Sequence, residues 1–177
     1  AEVLVDNEPA GKTPALLSLP KGKHVLAVKK SGYESHAEEC EIEPKVITKK
    51  IIELKRISLE ALQRAMNLET AGNWEAAVRA YAEFIERYGD APEADMAYYR
   101  KGHVEMVSLK NHRAAVESFQ RLLARYPDAM TRAEAYFGLA QAYRSLGDTA
   151  KARETLDFLV RKYGDTMAAE EARKVKW

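Results

Sequence analysis

A few residues in this chain are of types that could carry out chemistry, and their surroundings decide what they can do. Gly11-Lys12-Thr13 resembles the end of a phosphate-binding loop, but that loop needs a longer run that opens a helix, and Pro14 follows here. The four histidines lack the paired spacing of metal ligands, and no motif supplies a base for the thiol of Cys40. We therefore predict that the protein is not an enzyme and has no catalytic residue, metal site or cofactor.

The amino-acid composition argues against two further classes of function. Among 177 residues, 28 Lys and Arg stand against 27 Asp and Glu, so the chain lacks the basic excess typical of nucleic-acid binders. Its longest apolar runs are four residues, against about 20 for a membrane helix. These observations predict no nucleic-acid partner and no direct insertion into a membrane. The start at Ala1 without a methionine is typical of a fragment or a processed product, so what precedes it is left open.

Residues 1–56 show the two-residue periodicity and turn signals of a small all-β domain. A turn with Pro and Gly, Pro20-Lys21-Gly22-Lys23, separates two of its apolar runs. The predicted strands lie near 3–5, 24–30, 33–43 and 46–54. Strands at intervals of about ten residues indicate a small antiparallel β-sandwich.

Residues 57–177 are rich in helix formers and contain an internal repeat. Tyr88, Tyr126 and Tyr163 end similar segments and are spaced 38 and 37 residues apart. A period of this length that holds two helices is typical of an α-solenoid. We predict three helix pairs plus a C-terminal capping helix, over 58–71, 74–88, 92–109, 112–126, 130–146, 149–163 and 165–175.

Equivalent positions of the repeats carry matching side chains. Small residues are expected where the second helix of each pair crosses the first, at Ala77, Ala115 and Ala152. Bulky residues one turn later are expected to fill the gaps between neighbours, at Tyr81, Phe119 and Leu156. Helix ends are predicted at Gly72, Lys110-Asn111 and Gly147. Carboxylates that would cap the next helix are predicted at Asp90, Asp128 and Asp165.

The helical part, roughly 58–177, resembles the tetratricopeptide repeat family. Tyr136, Leu139, Ala140 and Tyr143 meet the family pattern of a bulky residue, Leu, a small residue and Tyr. The second repeat departs from it, because Gly102-His103 takes the Leu and small positions. The long period is similar to a variety found in bacterial envelope proteins.

The first part resembles the PEGA domain, a small bacterial β-sandwich with no known catalysis. The resemblance rests on residues 1–7, 11–14, 19–24 and 32–33. Members of this family start one strand earlier, so the resemblance implies that the domain lacks its first strand. An open sheet edge of this kind is a template for pairing, and self-association through it is one expectation.

Binding would then use the inner groove of the solenoid, which the first helix of each pair lines in the family. The family positions that face this groove correspond to Leu62, Met66, Glu69, Arg100, Val104, Val107, Phe137, Gln141 and Arg144. An apolar lane beside Arg100 and Arg144 would suit a protein or peptide partner that carries an acidic group. The alternative is that Leu62, Val104 and Val107 pack under neighbouring helices. Leu62 and Met66 take two key positions of the family's carboxylate clamp, which disfavours a C-terminal carboxylate ligand.

The sequence thus predicts a non-enzymatic adaptor that organises protein partners. Two alternatives stay open: a bacterial cell-envelope assembly or wall-associated factor, and a regulatory or targeting tail of a larger enzyme such as a kinase. The resemblances favour the bacterial envelope, hence the periplasm, with the cytoplasm as the alternative. The partner and the oligomeric state are not determined by the sequence.

Overall fold

The computed structural model describes residues 1–176, and the chain divides into two compact units, with the boundary after Glu60. Four strands precede seven helices. This confirms the predicted fold class, a small all-β part followed by an all-α solenoid of three helix pairs and a last short helix.

The first unit is built on one antiparallel sheet. Its strands are β1 (Glu2–Val5), β2 (Glu8–Lys12), β3 (Gly22–Lys29) and β4 (His36–Ile42), in the order β2-β1-β3-β4. Asp6 and Asn7 join β1 to β2 with φ angles of 51° and 70°, the left-handed pair that a tight hairpin turn requires. In the register, Val3 faces Val28 and Val5 faces Leu26, so one side of the sheet is apolar at its centre.

The strand predicted over 46–54 is wrong. This segment turns back after β4, with Lys45 at φ 64°, and Lys50 Nζ lies 3.2 Å from a carboxylate oxygen of Glu38, but the segment forms no ladder. β-branched residues favour strands where their side chains pack on a pleated surface, and Ile47 and Ile51 stay exposed to solvent instead. The four strands form one antiparallel sheet, a single layer, whereas the sequence predicted the two layers of a β-sandwich.

The second unit is a run of antiparallel helix pairs. The helices are α1 (Ser58–Thr70), α2 (Trp74–Tyr88), α3 (Ala94–Val107), α4 (His112–Arg125), α5 (Arg132–Ser145), α6 (Thr149–Lys162) and α7 (Met167–Arg173). Their ends lie within two residues of the predicted ones. Three apolar clusters form the core, and they centre on Phe84, Phe119 and Leu159.

The helix ends confirm one prediction and correct another. Gly72, Lys110 and Gly147 adopt positive φ angles of 77°, 54° and 82° after the first helix of each pair, as expected. The aspartates predicted as caps, Asp90, Asp128 and Asp165, instead lie in the loops before the N-caps. Those caps are Glu93, Thr131 and Thr166. The chain between the pairs is longer than a single capping residue, so the helices begin one to three residues later.

Phe119 explains the unusual glycine of the second repeat. A Cβ atom on Gly102 would lie 2.9 Å from its ring, and one on Gly138 would lie 2.6 Å from it, so both glycines admit the buried ring. Gly102 lies eight residues into α3, as Ala140 lies eight residues into α5. Gly102 therefore takes the small position of the repeat. An alignment on the second helices misses this, because the loop after α3 is one residue longer than the loop after α5.

Candidate functional site

The nine residues predicted to line the groove fall into two groups. Leu62 and Val104, the latter only 1% exposed, belong to the core and cannot touch a ligand. Glu69 and Arg100 point at each other, with Arg100 Nη1 donating to Glu69 Oε2 at 3.0 Å, and the hydroxyl of Tyr81 donates to the same oxygen. Burial, and then this hydrogen bond, raise the pKa of Tyr81. These polar groups link α1, α2 and α3.

The other five predicted residues keep part of their surface accessible. They are Met66, Val107, Phe137, Gln141 and Arg144, of which Val107 and Arg144 are the most exposed. Phe137, Gln141 and Arg144 of α5 are thus accessible on a first helix, whereas Arg100, although partly accessible, is paired with Glu69.

The register of α3 adds two residues that the sequence did not indicate. Tyr99 and His103 lie five and nine residues into α3, as Phe137 and Gln141 do in α5. Their rings are 6.2 Å apart between centroids, and Tyr99 also lies 6.2 Å from Phe119. Burial, and then the charge of Glu134 on α5, raise the pKa of Tyr99. The extra residue in the loop after α3 was the sequence signal for this register, and an alignment that allowed for it would have identified both residues.

We call the accessible side chains at the groove positions of the first helices the groove set, without Val107, whose equivalent at the end of α5 is Ser145. It consists of Met66, Tyr99, His103, Phe137, Gln141 and Arg144. Among residues 1–176, no ion pair holds Arg144, which leaves its guanidinium available to a ligand. Aromatic faces beside a free guanidinium suit an apolar peptide with an acidic side chain.

A buried polar cluster lies on the other side of α3. Lys101 Nζ lies 2.5 Å from Glu105 Oε1 and 2.9 Å from the hydroxyl of Ser118, which in turn donates to Glu105 Oε2 at 2.6 Å. Leu139 and Tyr143 occupy the equivalent positions of α5. The middle pair therefore holds its two helices together with charges where the third uses apolar groups.

His24 is the histidine whose contacts determine its protonation. Its Nδ1 lies 2.7 Å from Asp6 Oδ2 and its Nε2 lies 3.1 Å from the Pro20 carbonyl, so acceptors face both ring nitrogens. The contact with Asp6, and then the one with Pro20, raise the pKa of His24. The N–H of Val25, and then His24, lower the pKa of Asp6. These contacts brace the first hairpin against β3.

Within residues 1–176, no group of three or more His, Cys, Asp and Glu side chains is placed to hold a metal ion. No helix in that range is both long and apolar enough to span a membrane.

Sequence families match almost the whole chain. The PEGA domain matches residues 1–58, and two tetratricopeptide repeat families match residues 62–129 and 106–173. The chain is a PEGA domain followed by tetratricopeptide repeats. Repeats of this family build protein–protein interaction scaffolds, and the helical unit is such a scaffold.

Individual relatives are similar to part of the chain. A "Tetratricopeptide repeat and J domain-containing co-chaperone DNJ1" of Cryptococcus neoformans is 32% identical over 111 residues, 63% of this chain. The chain spans only 20% of the length of that relative. Among solved structures, the putative kinesin light chain of Podosopora anserina, described as having nearly identical TPR-like repeats, has a TM-score of 0.54 at 15% identity. The match covers 66% of this chain and 62% of that one. MamA from Desulfovibrio magneticus RS-1 has a TM-score of 0.48 at 22% identity, over 66% and 71% of the two chains.

Proposed function

We propose that the protein is a non-enzymatic adaptor whose repeats bind a segment of a partner protein through the groove set. The observation that carries this proposal is the repetition of an accessible aromatic residue, Tyr99 and Phe137, at the same place on two successive first helices. Side chains that repeat in this way present equivalent contacts along an extended ligand.

The charges of the groove favour a partner with a carboxylate. Arg144 is exposed, whereas Arg100 is already paired with Glu69. A carboxylate that reaches Arg144 forms a charge-assisted hydrogen bond, which is stronger than a neutral one. We therefore propose an extended peptide with apolar residues and at least one Asp or Glu as the ligand.

A peptide library displayed on phage and selected on the full chain tests this proposal. We expect selected peptides to combine aromatic or aliphatic residues with an acidic one, and their binding to be lost in Arg144→Glu. The matched control is Arg121→Glu, because Arg121 is an exposed arginine on the second helix α4 and lies outside the groove set. Peptides that bind Arg144→Glu as tightly as the parent protein would show that the groove set is not the binding surface.

The two more specific roles predicted from the sequence remain predictions. A role in envelope assembly and a role as the tail of a larger enzyme both concern the setting of this adaptor, and a longer gene sequence distinguishes them. A secretion signal or lipoprotein cysteine favours the envelope, and a kinase domain favours the tail.

A further inference from the structure

A chain of polar contacts holds the beginnings of three first helices in a row. The hydroxyl of Thr131, the N-cap of α5, donates to Asp95 in the first turn of α3 at 3.2 Å. The next residue, Arg132, donates through Nε to the hydroxyl of Tyr163 at 2.9 Å. The carbonyl of Tyr163 accepts from the hydroxyl of Thr166, the N-cap of α7, at 2.7 Å. The starts of α3, α5 and α7 are thereby fixed side by side.

A methionine stands next to each N-cap or first-turn residue in this chain of contacts. Met96 follows Asp95, Met130 precedes Thr131, and Met167 follows Thr166. Their exposed fractions are 38%, 95% and 81%, in that order along the row. Single exposed apolar residues are ordinary, but here three stand at the starts of helices that the polar contacts hold side by side, and methionine adapts its shape to different partners. We call these three side chains the methionine row.

Carboxylates outnumber bases around the methionine row. The segments 92–98, 128–135 and 165–171 contain seven carboxylates, at Glu93, Asp95, Asp128, Glu134, Asp165, Glu170 and Glu171. Their one base is Arg132, which is buried and donates to the carbonyls of Leu123 and Tyr126. Just beyond these segments, Lys174 Nζ lies 2.6 Å from Glu171 Oε1, and Arg173 donates to the carbonyl of Gly164 at 3.0 Å. Asp128 and Asp165, which cap no helix, belong to this surface.

We propose that the methionine row, at the starts of these helices, is a second docking surface beside the groove set, for a basic amphipathic helix of a partner protein. Apolar side chains of that helix would cover the methionines, and its Lys and Arg residues would face the carboxylates on either side. The same charges repel an anionic membrane and an acidic peptide. The groove set, with Arg144, favours the opposite ligand charge.

Binding of designed peptides to the full chain, followed by fluorescence anisotropy, tests the proposal. The probe is an 18-residue helical peptide of Leu and Lys with one apolar face, and the matched control peptide replaces every Lys by Glu. We expect saturable binding of the Leu/Lys peptide that weakens with salt, and none of the Leu/Glu peptide. Met130→Gln with Met167→Gln should weaken binding at least tenfold, and Asp128→Asn with Asp165→Asn should weaken it and reduce its dependence on salt.

Matched variants separate this surface from the rest of the molecule. Leu146→Gln removes an exposed apolar residue at the other end of α5, and Glu117→Gln with Glu154→Gln removes two exposed carboxylates from second helices. These variants and Arg144→Glu should leave binding of the Leu/Lys peptide unchanged. No saturable binding, equal binding of both peptides, or equal losses in the control variants would overturn the proposal. A dimer in sedimentation experiments that Met130→Gln with Met167→Gln dissociates would also overturn it, because a second copy would then occupy the row.

Discussion

At the scale of single residues, the ring of Phe119 and the two glycines around it determine how the middle and last pairs pack. The ring is fully buried, and Gly102 on α3 and Gly138 on α5 face it from two sides. Glycine inside a helix costs about 1 kcal/mol relative to alanine, so these two positions sacrifice helix stability for the close approach.

We expect Gly138→Ala to lower the free energy of unfolding despite the better helix propensity of alanine. The new methyl group would lie 2.6 Å from the ring of Phe119, and such overpacking costs about 1–3 kcal/mol. Urea denaturation measures the change. Combining Gly138→Ala with Phe119→Leu should recover part of the loss, because the smaller side chain makes room; a double variant as unstable as the sum of the two single ones would contradict this packing.

A second residue-scale expectation concerns pH. Because the pKa of His24 is raised above 6.5, its stabilising effect is complete below pH 6.5 and is lost as the pH rises through the folded value. Because the pKa of Asp6 is lowered from 3.8, its effect is present above pH 3.8 and is lost as the pH falls through the folded value. The His24–Asp6 pair therefore stabilises the sheet most between pH 3.8 and pH 6.5.

Titration of the His24 ring by NMR measures this coupling. We expect a midpoint above 6.5 in the parent protein and a midpoint closer to 6.5 in Asp6→Asn, which removes the carboxylate but keeps a polar side chain. His36 is the internal control, since it lies on β4, away from Asp6. Equal His24 midpoints in the two proteins would show that the contact does not persist in solution.

At the scale of the elements, the contact between α3 and α4 contains a charged cluster that the sequence pattern alone conceals. Glu105 is buried and has two partners, Lys101 and Ser118, on the two helices. A buried ion pair of this kind is weak evidence for stability, because removing two charges from water offsets much of their attraction.

Removing one charge and removing the whole cluster should have opposite effects. Lys101→Leu alone leaves Glu105 buried with only Ser118, and we expect a loss of about 3 kcal/mol. Lys101→Leu, Glu105→Leu and Ser118→Ala together make the middle pair resemble the last one, and we expect a stability equal to or above that of the parent. Thermal and urea unfolding compare them. A triple variant less stable than the parent would mean that the cluster is a net source of stability.

The helices could be predicted from the sequence, but one of their faces could not. The helices were predictable because Tyr88, Tyr126 and Tyr163 mark a repeat in which each turn and small residue agrees with the next. The side chains of α3 that face the groove were not predictable from the sequence. Aligning the repeats on their second helices hides the extra residue in the loop after α3, and this one-residue shift turns Val104 toward the core and Tyr99 toward the accessible side. The contacts of Asp95 with Thr131 join residues 36 apart, and no local pattern indicates such a contact.

At the scale of the whole molecule, the two units differ in how much they can bury. The buried apolar residues of the first unit are Val3, Leu4, Val5, Ala27 and Val28, whereas each apolar cluster of the second unit contains at least seven buried residues. A unit of about 60 residues buries a smaller share of its surface than a larger one and is correspondingly less stable.

Hydrogen exchange should therefore distinguish the units. We expect amides of β1 to β4 to exchange faster than those of α2 to α6 in dilute monomeric protein at one pH and temperature. Amides of α1 and α7, which lie at the ends of the helical unit, should fall between. Equally slow exchange in the sheet and the central helices would mean that the first unit gains stability that its own core does not explain.

The ring of Phe119 also has a consequence for the order of the repeats. The residue of α3 equivalent to Gly138 is Arg100, and it meets a tyrosine, Tyr81, where Gly138 meets a phenylalanine. The two junctions thus pack different surfaces. The first junction is polar, and the second leaves no room for a side chain larger than the hydrogen atom of glycine. A duplicated middle pair would place an arginine against Phe119, which offers it neither a hydroxyl nor a carboxylate. The pairs are therefore not interchangeable units, and shuffling or duplicating them would require compensating changes at every new junction.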